Sequence, residues 1–137
     1  MKDHVLTDGR GVPLSIVVTP ANVNDDKRLA EVIDNFVIVR PIPTTKARQH
    51  LALDAAFDNA PARGVVFANR YTAHIAPKAG RDPEAPKYPS GKARRWVVEQ
   101  THALHDRFRR LVVNWEKTIS SRYAFLCLAS ALMAYRR

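Results

Sequence analysis

Two carboxylates stand out for their setting. Asp54 closes the apolar run His50-Leu-Ala-Leu and is followed by Ala-Ala-Phe-Asp58. An unpaired charge at the end of an apolar strand is costly, and carboxylates at strand ends in α/β folds often face a site outside the sheet. The simpler reading is a solvent-facing aspartate bonding a turn amide. Glu99 lies in Arg94-Arg-Trp-Val-Val-Glu-Gln-Thr-His102, early in a predicted helix and behind paired arginines. An acid in a first helical turn interacts well with the helix dipole. The alternative is a helix-borne carboxylate aimed at a metal ion, with Arg95 one turn back on the same face.

Other chemistries find less support. Asp8, Asp25, Asp26 and Asp58 have turn or cap explanations. Of the five histidines, His102 and His105 are three apart, and no pair has the i,i+4 spacing of a helical zinc motif. There is no Walker-type glycine loop and no Gly-x-Ser-x-Gly elbow. The basic residues form two sets. Lys78, Arg81, Lys87, Lys92, Arg94 and Arg95 border Glu99 in the chain, and Arg107, Arg109, Arg110 and Lys117 lie further on. Beside a carboxylate metal site such groups would hold DNA phosphates; otherwise they make a solvated helix face. Trp96 and Trp115, at helical spacing with Phe108, read more simply as core than as stacking platforms.

The elements that must position these residues follow from hydrophobic periodicity. His4 to Thr19 reads as two strands around a turn at Asp8-Gly9, the glycine supplying positive φ. Asp25 or Asp26 caps a helix over Lys27 to Phe36, with Leu29, Val32, Ile33 and Phe36 on one face. Val37 to Gln49, with Pro41 and Pro43, is a connecting loop. His50 to Asp54 is a buried strand, Pro61 opens a short helix to Asn69, and Tyr71 to Pro77 is another strand. Residues 78–92, rich in proline, glycine and lysine, form a long basic loop. From Ala93, Val97, Leu104, Phe108, Leu111, Val112 and Trp115 repeat at helical spacing. A last helix, Ser121 to Tyr135, is apolar nearly all round and should be buried. The order strand, strand, helix, strand, helix, strand, helix, helix predicts a mixed α/β architecture.

Composition sets outer limits. The chain has 137 residues, enough for one domain with a real core. Its formal net charge of +9 favours a polyanionic partner, although a soluble basic protein with no nucleic-acid role has the same composition. The single Cys127 cannot form an internal disulfide, which suits a reducing cytoplasm. Its apolar surroundings are shorter than the roughly 20 residues that span a bilayer, and Met1-Lys-Asp-His-Val lacks a signal-peptide apolar region. The expectation is a cytoplasmic protein with no membrane partner.

Taken in order, the segments resemble a known family. Val5-Leu-Thr-Asp-Gly-Arg-Gly-Val-Pro-Leu-Ser-Ile-Val-Val-Thr-Pro-Ala-Asn-Val-Asn-Asp25 is similar to the "LLTDGRGIPL…GANVHD" stretch of bacterial insertion-sequence DDE transposases. Leu51-Ala-Leu-Asp54-Ala-Ala-Phe-Asp58 resembles the strand bearing their second aspartate, and His74-Ile-Ala-Pro-Lys78 their "HIPPK" strand and loop. Arg94 to His102, then Arg107-Phe-Arg-Arg-Leu and Trp115-Glu-Lys, resemble the block around their catalytic glutamate. The resemblance implies a ribonuclease-H-like mixed sheet flanked by helices. It also implies DNA cleavage and strand transfer by divalent ions, Mg²⁺ or Mn²⁺, held by three carboxylates. One ion activates water or a DNA 3′-hydroxyl and the other stabilises the leaving oxygen; hard cations take oxygen ligands, hence Asp and Glu. Asp54 matches the second acid and Glu99 the third, which makes both catalytic and metal-binding. Lys78, Lys92, Arg94, Arg95, Arg107 and Arg110 become the DNA-binding set, with Arg95 in the arginine position of the family's Tyr-x2-Arg-x3-Glu-x6-Lys pattern.

Three positions depart from that pattern. Nothing matches the first aspartate: Asp8 falls on the hairpin turn, and Asp3 lacks the strand context. Lys92 occupies the tyrosine position, and Asp106, beside Arg107, the lysine position. The expectation is therefore a single domain over 1–137 that is the C-terminal portion of the catalytic domain, without its first strand and inactive alone. DNA is the implied partner. An upstream transposase fragment would supply the missing aspartate, and a homodimer would act across two DNA ends. Two other readings remain: a non-enzymatic basic DNA-binding protein, and a small metal-dependent nuclease of the same fold.

Overall fold

A computed structural model describes residues 1–76 and 96–136. The predicted loop 78–92 and the start of the predicted helix at Ala93 lie outside the described residues. The architecture is mixed α/β, and the chain divides into two compact units, with the boundary running through α1 (Leu29–Asp34).

The first unit comprises Met1–Val23, Glu31–Val39 and the chain from Trp96 onward. Strands β1 (Lys2–Thr7) and β2 (Pro13–Thr19) pair antiparallel from Lys2 opposite Thr19, with an irregularity between Leu6 and Thr7. The connection is longer than a two-residue turn. Asp8 organises it: its Oδ1 accepts the amide protons of Arg10 (2.8 Å) and Val12 (2.9 Å). The positive φ falls on Gly11 (81°), not on Gly9 as the Asp-Gly pair predicts. The side chain of Asp8 closes the turn itself, so the left-handed residue moves to where the chain re-enters the ladder.

β2 is buried on both faces. Ile16 and Val18 join Leu111, Leu126 and Ala129 in a core cluster lined by Phe108, Tyr123, Phe125 and Cys127. Leu111 belongs to α4 (Arg109–Val112), and Leu126 and Ala129 to α5 (Ile119–Tyr135). The single long helix predicted from Ala93 is interrupted. α3 (Trp96–His105) ends, Phe108 is extended (φ −87°, ψ 104°), and α4 begins. Phe108, at the break, and Leu111, after it, both pack into this core. Val112, Val113 and Trp115 are exposed, the last at 74%. Trp96 is exposed as well, at 59%, so neither tryptophan is core. α5 buries Leu126, Ala129, Ser130 and Met133 but exposes Leu128, Leu132 and Tyr135, so its apolar composition overstates its burial.

Polar ties hold this unit together. Arg122 on α5 grips Asp3 on β1 with two nitrogens, at 2.6 and 3.3 Å, and donates to the Leu111 carbonyl at 2.6 Å. Both side chains are mostly shielded from solvent, 13% and 17% exposed. Each guanidinium nitrogen and both carboxylate oxygens are hydrogen-bonded, which helps such a pair to be tolerated inside a fold. His105 is buried with Nε2 3.0 Å from Ser130 Oγ, while its Nδ1 has no partner among the described residues. Burial holds its pKa below the usual imidazole value. His102 and Arg122 act in the same direction, while Asp3 and Asp106 oppose them.

The second unit comprises Asn24–Ala30 and the described chain from Arg40 to residue 76. β3 (Gln49–Leu53) and β4 (Tyr71–Ile75) pair parallel, Gln49 opposite Tyr71 through Leu53 opposite Ile75. A parallel pair needs a crossover, and α2 (Ala60–Ala68) supplies it, burying Ala62 and Val66. Asn59 caps α2 by accepting from the Ala62 amide at 2.9 Å, with proline in the first turn as predicted. The helix predicted from Lys27 starts as a 3-10 turn, Asp25–Arg28, and continues as α1. Asn24 holds its N-cap position without a side-chain cap bond, and Asp25 and Asp26 lie in the first turn instead.

Candidate functional site

Asp54 owes its position to strand alternation. Leu51 and Leu53 point into the unit and are buried, whereas His50, Ala52 and Asp54 take the exposed face. Asp54 thus follows the C-terminal end of a parallel strand, where α/β sheets present ligand-binding groups. Its Oδ1 accepts the Ala55 amide proton at 2.7 Å and so caps the 3-10 turn Ala55–Phe57. The cap fixes the carboxylate while leaving it at the surface.

The same face carries a second polar feature. His74 on β4 is opposite Ala52, and its Nε2 lies 2.7 Å from His50 Nδ1. Burial, then the neighbouring His50, lowers the His74 pKa. Asp58 is buried at 6% and paired with Arg63 at 2.7 Å, so it supports α2 rather than facing solvent.

Glu99 stands in the first turn of α3, in the other unit, and is exposed. Its helix is anchored two residues further on by Thr101. That fully buried hydroxyl lies 2.8 Å from the Gly11 carbonyl and 3.1 Å from that of Val97. Thr101 therefore ties the glutamate's helix to the hairpin loop, a role that no local pattern disclosed. Val97, Thr101 and His105 make the buried stripe of α3, which leaves Glu99 on the outward side.

Of the basic set, Lys78, Lys92, Arg94 and Arg95 lie outside the described residues. Arg107 is exposed after α3. Arg110 is largely exposed too, but its Nε bonds Glu116 at 2.9 Å and its guanidinium lies over the Phe125 ring, 4.4 Å from the centroid. Asp54 and Glu99 fall in different units. Among the described residues, no three His, Cys, Asp or Glu side chains gather in a way that could hold a metal ion. The donor chemistry of the two acids nonetheless suits a hard divalent cation, which takes carboxylate oxygens.

A family model described as the transposase DDE domain matches residues 1–134. The chain belongs to the insertion-sequence DDE transposases. It is 34% identical over 145 residues to a putative transposase for insertion sequence element IS402 of Burkholderia cepacia. That alignment covers 98% of this chain and 62% of the relative, so the chain spans less than two thirds of that protein's length. No solved structure matches significantly. Members of this family generally use divalent metal ions and act on DNA. No helix among the described residues is long and apolar enough to cross a membrane.

Proposed function

We propose that this chain is the C-terminal portion of a ribonuclease-H-like transposase catalytic domain, in which Asp54 and Glu99 serve as two of three metal-holding carboxylates. The observation that carries the reading is the placement of Asp54. It is an exposed, capped carboxylate just past the C-terminal end of a parallel strand, in a chain that matches the family over 1–134. Bound Mg²⁺ or Mn²⁺ would supply Lewis-acid stabilisation of an in-line phosphoryl displacement. The chain's own part is to hold the ligands in place: the Ala55 amide orients Asp54, and the Thr101 anchor sets the helix that carries Glu99. Arg107 and Arg110, with Lys78, Lys92, Arg94 and Arg95, would meet DNA phosphates.

The third carboxylate has no match in this sequence. Each described strand pairs with a single neighbour, so each sheet offers an edge to which a further strand can add. A segment carrying a strand and an aspartate, from an upstream transposase fragment, would complete the site. The purified chain is expected to bind element ends without cleaving them. Adding the upstream fragment in trans should produce Mg²⁺-dependent cleavage that Asp54→Asn or Glu99→Gln abolishes while DNA binding persists. Cleavage that survives both substitutions would remove the catalytic assignment. Robust cleavage by the chain alone would remove the requirement for completion.

A further inference from the structure

The second unit contains a groove of about 570 Å³, distinct from the strand end that bears Asp54, formed where the loop before β3 meets the end of α2. Phe67 and Tyr71 supply its aromatic surfaces, Arg48 and Arg70 its charge, and Thr44 and Thr72 its hydroxyls. No acidic residue is among the described residues that line it. The volume falls in the usual range for small-ligand sites.

Two details argue that the groove is built for a ligand. Phe67 is 84% exposed although it sits on a helix that buries Ala62 and Val66. Nothing in the packing of α2 requires an aromatic ring there. Arg70 has φ of 58°, the left-handed conformation that follows many helices and that glycine adopts without steric cost. Its amide donates to the Phe67 carbonyl at 2.9 Å, so the two residues' backbones are held within one turn of each other. Arginine in place of glycine there sacrifices stability and gains only a side chain. Strained backbone of this kind concentrates at binding sites. The opposite wall is firm: Arg40 lies 3.7 Å over the Tyr71 ring and bonds Gln49 (2.6 Å) and the Asn69 carbonyl (2.7 Å).

The geometry points to a binding site for an unpaired nucleotide of single-stranded DNA, its base stacked on Phe67 and its phosphates on Arg48 and Arg70. A lone exposed ring has little to offer a duplex, whose bases already stack on each other. An unpaired base presents a free face, and basic groups beside aromatic rings are the usual means of holding a single strand. The arginines and the lack of lining acids complement phosphate. The inference rests on the reading of this chain as a DNA-handling protein and assigns a second contact within it.

The test uses the full chain and fluorescence anisotropy with a labelled short oligonucleotide, single-stranded or annealed to its complement, across a salt series. The single strand should bind more tightly than the duplex. Phe67→Ala should weaken single-strand binding on the order of tenfold and leave duplex binding unchanged, and Phe67→Leu should do nearly the same. Because the ring is exposed, neither variant should shift Tm. Arg70→Gly should raise Tm yet lower the salt slope of single-strand binding by about 0.7. Unchanged single-strand binding in the Phe67 variants, or equal losses for single strand and duplex, would overturn the groove assignment and leave the transposase reading standing. Failure to bind either form of DNA would overturn both.

Discussion

The two proposed ligands stand on differently constructed supports. Glu99 belongs to a unit held by contacts between distant parts of the chain: Asp3 to Arg122 are 119 residues apart, and Gly11 to Thr101 are 90 apart. Asp54 belongs to a unit whose ties are mostly short in sequence, such as Asp58 to Arg63, Asn59 to Ala62 and Arg40 to Gln49. The strand-helix-strand unit places its carboxylate from local instructions. The hairpin-and-helices unit must close a long loop before its glutamate has a defined setting, and loop closure is entropically costly. The metal-binding role proposed for these acids thus depends on two kinds of order that different substitutions will disturb.

Arg122→Ala should give the largest separation between the units. It leaves Asp3 shielded without its partner, a change that costs about 3 kcal/mol. Hydrogen exchange should show lost protection in β1 and α5, with β3 and β4 little affected. The pair Asp3→Leu with Arg122→Met should recover most of the loss, since the charge is then removed rather than stranded. Equal loss of protection across both sheets would show that the chain unfolds as one unit.

Core truncations come next. Leu126 and Val66 are each 1% exposed and represent the two units. Leu126→Ala should cost about 3 kcal/mol, because it empties the centre of the cluster around β2. Val66→Ala removes less buried surface and should cost about 2 kcal/mol. Urea unfolding measures both, and a reversed order would mean that the α2 core is the more tightly packed.

The smallest effect is a pH dependence assigned to the first unit. Burial depresses the His105 pKa, so the unfolded chain binds more protons than the folded one between the folded pKa and the ordinary value near 6.5. Stability is fully present above that value and falls as pH drops through it toward the folded pKa. His74 is depressed in the same sense but is less buried, and contributes less. Comparing urea midpoints above and below pH 6.5 for the wild-type chain and His105→Gln checks this. The variant should show a shallower decline; an identical decline would place the titration elsewhere.

Some of this was legible in particular residues. Pro61 after Asn59 announced the start of α2. The apolar run His50 to Asp54 announced β3, although as a buried strand rather than the half-exposed one observed, and the family motifs marked both acids. Other features had no local trace. The long periodic run from Val97 to Trp115 hid the break at Phe108, because helical spacing persists across it. Nothing in the run Pro61 to Asn69 marks Phe67 as exposed.

The sequence by itself determined the order of the main strands and helices, apart from the break at Phe108, and the candidate carboxylates, each from a few neighbouring residues, and the family from the order of several such segments. Tertiary structure alone decided the Asp3–Arg122 tie, the Thr101 anchor, the burial of His105 and the groove beside Phe67. The physical reason is range. Periodicity and turn chemistry act over a few residues, whereas ion pairs, buried hydroxyls and grooves form where remote segments meet and leave no repeating mark in the chain.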